Sequence, residues 1–262
     1  MTADLSMDYA IGAFIPGSDA LPARWNAEAL ALRRSLGDRA RSAVPYGDAP
    51  RQVFDLMLPK VRPAGLLVFI HGGYWLNFAP PNWSHLAAGA LARDWAVAFP
   101  GYSLAPAVRI HTITQEVDAA IAAAAQTIAG PIVITGNSAG GHLCARMGCA
   151  DRTADWTQRL ERIVPISPVA DLTPLMQTAM NADLKIDAAE AAAESPARLP
   201  KRRDLDCTVW VGGQERPSFL WQARTLSENW DCPWHVEPGR HHFDVIDDLT
   251  DPESQLVKTL LA

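Results

Sequence analysis

The chain has 262 residues and a formal net charge of −6, a length that suits one α/β domain. Hydrophobic residues make up 48% of it, enough for a sizeable core. The mild acidity gives no reason to expect nucleic acid or anionic lipid as a partner, and apolar stretches such as 65–70 and 119–125 are too short to span a bilayer.

Residues 51–59 alternate apolar and polar side chains, as an edge strand does. Residues 65–70 are almost wholly apolar, as in a strand buried on both faces. A helix over 82–94, a strand over 96–99 and an Ala-rich helix over 114–128 follow. The next pair is a strand over 132–135 and a helix over 139–150. Strands are expected at 162–166, 206–211 and 234–236, with helices at 217–230 and 253–261. Strands alternating with helices imply an α/β architecture, with a mostly parallel central sheet and helices on both faces. Residues 1–262 read as a single domain. One segment breaks the rhythm: 171–203 is rich in Ala, Asp and Glu and carries Pro174, Pro196 and Pro200. It reads either as a small lid or as an ordinary long crossover. The basic run Lys201–Arg203 that closes it reads as solvated charge.

The N-terminal residues 1–10 show no basic stretch followed by an apolar core, so no secretory signal is expected. Cys144, Cys149, Cys207 and Cys232 form neither a C-x-x-C pair nor a zinc-like spacing. They read as thiols of a cytoplasmic protein.

The most informative stretch is Gly136-Asn137-Ser138-Ala139-Gly140, a G-x-S-x-G turn between four β-formers and a helix. So sharp a turn packs closely around the serine, and glycines lack the Cβ that would clash. The serine takes a strained backbone and lifts its hydroxyl above the sheet. Ser138 is therefore the expected nucleophile. The absence of a Lys-Ser/Thr ending excludes a phosphate-binding P-loop. Upstream, the buried strand ends in His71-Gly72-Gly73-Tyr74-Trp75. Acyl transfer passes through an oxyanion that preorganised N–H groups must meet, and glycines let a loop turn such groups inward. The expected donors are the amides of Gly73, Tyr74 and Ala139. His71 precedes the serine and reads as a loop brace, not a base.

Four stretches together carry a resemblance: His71-Gly72-Gly73-Tyr74-Trp75, Tyr102-Ser103-Leu104-Ala105-Pro106, Gly136-Asn137-Ser138-Ala139-Gly140-Gly141-His142 and His242-Phe243-Asp244. The chain resembles the esterase and lipase branch of the α/β-hydrolases related to hormone-sensitive lipase. Within that branch it is most similar to the kynurenine formamidase group and its bacterial esterase relatives, which carry H-G-G-Y-W where lipases usually have a third glycine. Asn137 departs from the group, which often has His there. The resemblance implies an α/β-hydrolase fold and hydrolysis of a small acyl substrate without a cofactor.

In this fold the order is serine, acid, histidine. Glu215 is the one carboxylate in the loop after the strand over 206–211, and Asp171 is the alternative acid; Asp206 stands at the wrong end of its strand. Among the late histidines, His235 falls within a strand, and His241 and His242 follow it. The resemblance of His242-Phe243-Asp244 to the formamidase H-F-D selects His242 as the base. A metal reading of His241, His242 and Asp244 finds no further ligand cluster to support it, and no metal is expected. Tyr74, Trp75 and Phe243 either line an apolar substrate pocket or pack against the sheet. The chemistry expected is a Ser-His-Glu acyl transfer on a carboxylic ester or an aryl formamide, with a thioester as a further possibility. The rival from another class is a non-catalytic protein of the same fold, acting as a binding module.

Overall fold

The computed structural model describes residues 4–262. Its nine strands form one sheet. They are β1 (Ala40–Pro45), β2 (Val53–Met57), β3 (Leu66–Ile70), β4 (Ala96–Pro100), β5 (Ile132–Asn137), β6 (Leu160–Ile166), β7 (Asp206–Cys207), β8 (Val209–Gly212) and β9 (Trp234–Glu237). The order is β1-β2-β4-β3-β5-β6-β8-β9, with β7 also paired to β6. β1, β2 and β4 pair antiparallel, and every pairing from β4 through β3 to β9 is parallel. The helices are α1 (Leu21–Leu36), α2 (Ala88–Ala92), α3 (Ile110–Thr127), α4 (Ala139–Met147), α5 (Asn181–Leu184), α6 (Ala188–Glu194), α7 (Pro217–Trp230) and α8 (Gln255–Leu260). This is an α/β-hydrolase fold, as expected.

The pleat divides each central strand between two cores. In β3, Leu66, Val68 and Ile70 pack with Ile113 and Val117 of α3, Leu143 of α4 and Phe219 of α7. Leu67 and Phe69 point the other way, among Trp25 of α1, Ala90 of α2 and Leu256 of α8. α4 is buried on all sides, and its two polar residues, His142 and Arg146, are buried against Glu194.

Several elements differ from expectation. The strand over 51–59 is β2, which lies inside the sheet; the edge strand is β1. The polar positions that suggested an edge include Asp55, which is buried and accepts the Ala43 N–H at 2.8 Å. The helix over 82–94 is broken into 3-10 turns at Pro80–Asn82 and Ser84–Ala87 before α2. Pro80 and Pro81 precede the expected span and open a separate tight turn, in which Asn82 accepts the Ala79 N–H at 2.9 Å. The strand over 206–211 divides at Thr208, whose N–H donates to the Ile163 carbonyl at 3.2 Å. The α1 helix, finally, was not among the expected elements.

Segment 171–203 contains α5 and α6. Asp187 caps α6 by accepting the Glu190 N–H at 2.8 Å. Glu194 at its end is buried and accepts from Arg146 of α4 at 3.0 Å and from Thr114 of α3 at 2.7 Å. Burial alone would raise its carboxyl, but the hydrogen bond and charge of Arg146 outweigh burial and hold it below the usual range. The segment is thus fastened to two core helices. All four cysteines are free thiols. Among the described residues, no helix is long and apolar enough to cross a membrane.

Candidate active site

Ser138 joins β5 to α4 with φ 61° and ψ −118°, a conformation that non-glycine residues rarely adopt. It is held there from two sides. Its N–H donates to the Ile166 carbonyl at 2.9 Å, and its carbonyl accepts from His142 at 2.9 Å. A Cβ on Gly140 would run into the carbonyl oxygens of Ile70 and His71, so the first turn of α4 can approach β3 only as glycine. The N-terminus of α4, with its unpaired N–H groups, therefore opens beside the serine.

The loop after β3 comes to the same place. A Cβ on Gly72 would stand 3.1 Å from the Ser138 Cβ, so the two loops touch there. Gly73, Tyr74 and Trp75 take φ of 105°, 51° and 57°, turning the chain sharply. Leu76 and Asn77 close the turn by donating to the Gly73 carbonyl at 3.0 and 3.1 Å. Among the described residues, the N–H groups of Gly73, Tyr74 and Ala139 have no protein acceptor. His71 braces this loop. Its ring stacks on Tyr102 at 4.3 Å, its Nδ1 donates to the Gly72 carbonyl at 2.8 Å, and the Tyr102 hydroxyl donates to the His71 carbonyl at 2.8 Å. Burial pulls its imidazole down to about 4, so it is neutral at pH 7. Tyr102 opens the Y-S-L-A-P stretch. The next residue, Ser103, donates its N–H to Glu116 of α3 at 2.6 Å, which anchors that stretch.

On the far side of Ser138 stand the two candidates from the C-terminal loops. Glu215 follows β8, is buried, and its Oε2 accepts from His242 Nδ1 at 2.5 Å. Its Oε1 accepts from the Gly212 N–H at 2.9 Å and from the Ser167 hydroxyl. Ser167, just after β6, was missed by sequence reasoning; nothing local marks it. His242 Nε2 is buried with no protein partner among the described residues. Asp171 is elsewhere, engaged by Arg198 at 2.9 Å and by the Thr173 N–H at 2.8 Å. His241 turns away too: its Nδ1 accepts from the Phe243 and Asp244 amides at 3.1 and 3.2 Å. His235 stacks on Trp210 at 3.9 Å.

Ser138 and His242 both line a cavity of about 360 Å³. Tyr74 and Phe243 line it as well. Trp75 does not: it is fully buried, edge-on to His142 at 5.1 Å, and belongs to the core. Tyr74, with a similar left-handed backbone, stays at the cavity. The unexpected contribution comes from the N-terminus. Tyr9 to Gly12 and Trp25 of α1 line the cavity, and the Tyr74 hydroxyl donates to the Tyr9 carbonyl at 2.7 Å. Trp25, Ala29 and Leu36 of α1 are buried at helical spacing, a signal that could have marked the helix but not its destination. From segment 171–203, Met180 reaches the cavity.

Comparison with known proteins defines the class. The profile of the alpha/beta hydrolase fold family matches residues 67–209, more than half of the chain, and the chain belongs to that family. It is an esterase- and formamidase-like hydrolase. A kynurenine formamidase from Danio rerio is 28% identical over 254 residues, covering 87% of this chain and 85% of that protein. The crystal structure of a "putative thioesterase" from Silicibacter sp. tm1040 has a TM-score of 0.97 and 50% identity, covering 100% of both chains. Esterase B from Lactobacillus rhamnosis, 17% identical over 92% of each chain with a TM-score of 0.66, shares the fold.

Proposed function

We propose that this protein is a serine hydrolase that cleaves a small carboxylic ester or an aryl formamide through an acyl-enzyme. Ser138 is its nucleophile, His242 its base and Glu215 its acid. The observation that carries this reading is the 2.5 Å contact of Glu215 with His242 Nδ1, made beside the cavity that Ser138 and His242 share.

In acylation, His242 Nε2 takes the Ser138 proton as Oγ bonds to the carbonyl carbon. Glu215 holds the imidazole in the tautomer with Nδ1 protonated and stabilises the imidazolium. The amides of Gly73, Tyr74 and Ala139 receive the oxyanion, which suits their lack of protein acceptors. The bond to the alcohol or amine then breaks, and that group leaves with the proton from His242. Water, deprotonated by the same histidine, attacks the acyl-enzyme; the bond to Ser138 Oγ breaks, Oγ takes that proton back from His242, and the acid leaves.

The formamidase relatives make N-formylkynurenine one candidate substrate, and the 50% identical relative makes a thioester a second reading. The chemistry is common to all three. Replacing Ser138 with Ala is expected to lower kcat on p-nitrophenyl acetate by on the order of 10⁶, with the melting temperature retained. A variant keeping more than a few per cent of activity would contradict the assignment.

A further inference from the structure

The cavity beside Ser138 has an unusual wall. Four rings cluster there: Trp25 stands 4.8 Å from Trp83, 6.0 Å from Phe78 and 5.9 Å from Phe243, and Phe78 is 5.3 Å from Trp83. All four line the cavity. Such a surface offers ring faces and edges to a planar aromatic group. A volume of about 360 Å³ is at the small end for a ligand site and admits a substituted ring.

Charge is missing from the lining. Among the described residues that face the cavity, none is Asp, Glu, Lys or Arg. The Tyr9 phenol, raised to about 12 chiefly by burial, stays neutral. Two arginines of the surrounding chain, Arg24 and Arg216, have partners of their own. Arg24 of α1 is bidentate on Asp247 at 3.0 and 3.1 Å. Arg216 lies over the Phe14 ring at 3.7 Å and donates to the Met7 carbonyl at 3.3 Å. A substrate carrying an ammonium and a carboxylate would lose water from both without gaining a counter-ion, which is strongly unfavourable.

Resting on the assignment of Ser138 as nucleophile, we infer that the site selects uncharged aryl substrates, esters or formamides, and discriminates against those bearing an amino-acid zwitterion. The formamidase-like sequence thus accompanies a pocket not built for N-formylkynurenine itself.

Two matched pairs test this, each differing only in charge-bearing substituents near the ring. One is p-cresyl acetate against O-acetyl-L-tyrosine; the other is N-(2-acetylphenyl)formamide against N-formyl-L-kynurenine. In whichever pair is turned over, kcat/KM for the neutral member is expected to be higher by at least about tenfold, as an unpaired desolvated charge implies. A smaller or reversed preference in either pair overturns the inference while leaving the hydrolase reading intact, provided Ser138→Ala abolishes that turnover. Failure to hydrolyse any of the four, or p-nitrophenyl acetate, overturns both.

Discussion

The two oxygens of Glu215 have separate partners. Oε2 holds His242, while Oε1 is pinned by the Gly212 amide and the Ser167 hydroxyl, so the carboxylate cannot rotate away from the ring. The extra methylene of Glu relative to Asp is taken up within the loop after β8, where the Glu215 N–H donates to the Gly212 carbonyl at 3.2 Å. On the proposed mechanism, Glu215→Gln should lower kcat by roughly 10⁴ with little change in KM, because the amide can donate where the carboxylate only accepts and so favours the wrong tautomer. Asp171→Asn should leave kcat near wild type, since its carboxylate meets Arg198 and not the imidazole. Steady-state kinetics on the two variants decide; the reverse pattern would move the acid to Asp171. Which carboxylate meets the histidine was half legible in the sequence. Both follow consecutive strands of the expected pattern, and only the packing of Ser167 and Arg198 separates their tasks.

Among the elements, α6 shows how the segment 171–203 is held. Its Glu194 joins Arg146, Thr114 and His111, at 3.0, 2.7 and 2.9 Å, and its carbonyl accepts from His142 Nε2 at 2.6 Å. Glu194→Ala removes the partner of Arg146 Nε, while the other guanidinium nitrogens keep Asp151 at 3.1 Å, so the loss should be about 1.5–3 kcal/mol of stability. Denaturant unfolding measures it; a loss under about 1 kcal/mol would mean that the network is solvated and α6 is free to move. Elements bounded by strong local signals were readable. α7 begins at Pro217, where a missing N–H does no harm, and ends where Asp231 takes a left-handed conformation, and the expected span 217–230 coincides with it. β1 was not readable, because Arg41, Ser42 and Pro45 give an edge strand none of the apolar run of β3. The N-terminal wall of the cavity escaped for a different reason. The periodicity of Trp25, Ala29 and Leu36 specifies a buried helix face, but the chain fold-back that sets Trp25 against Phe243 is a long-range event with no local code.

For the whole molecule, buried histidines set the response to acid. Burial pulls His71, His85 and His142 from 6.5 to about 4, so folded they stay neutral where unfolded they would charge. Between about pH 6.5 and 4 the unfolded chain binds more protons, so stability is fully present above 6.5 and falls as pH drops through that window. Asp55 and Asp247, whose carboxyls burial raises, work in the opposite direction toward its lower end. The melting temperature should thus be level above pH 7 and decline from about 6.5 downward. A flat or rising profile between pH 6.5 and 5 would show that these histidines protonate in the folded state. The central sheet, its parallel order and the loops that gather at its carboxyl edge follow from the alternation of strand and helix in the sequence. That the same edge carries an uncharged aromatic cavity does not follow from it, because Trp25, the neighbours Phe78 and Trp83, and Phe243 come from three distant stretches of chain.

The proposed chemistry depends most on one atom, Ser138 Oγ. Incubation with a fluorophosphonate, followed by peptide mass mapping, asks whether that oxygen is activated beside an oxyanion site. One adduct per chain is expected, on the peptide containing Gly136-Asn137-Ser138-Ala139-Gly140, and none in Ser138→Ala. An adduct on another serine, or an unmodified protein at full exposure to the reagent, would contradict it.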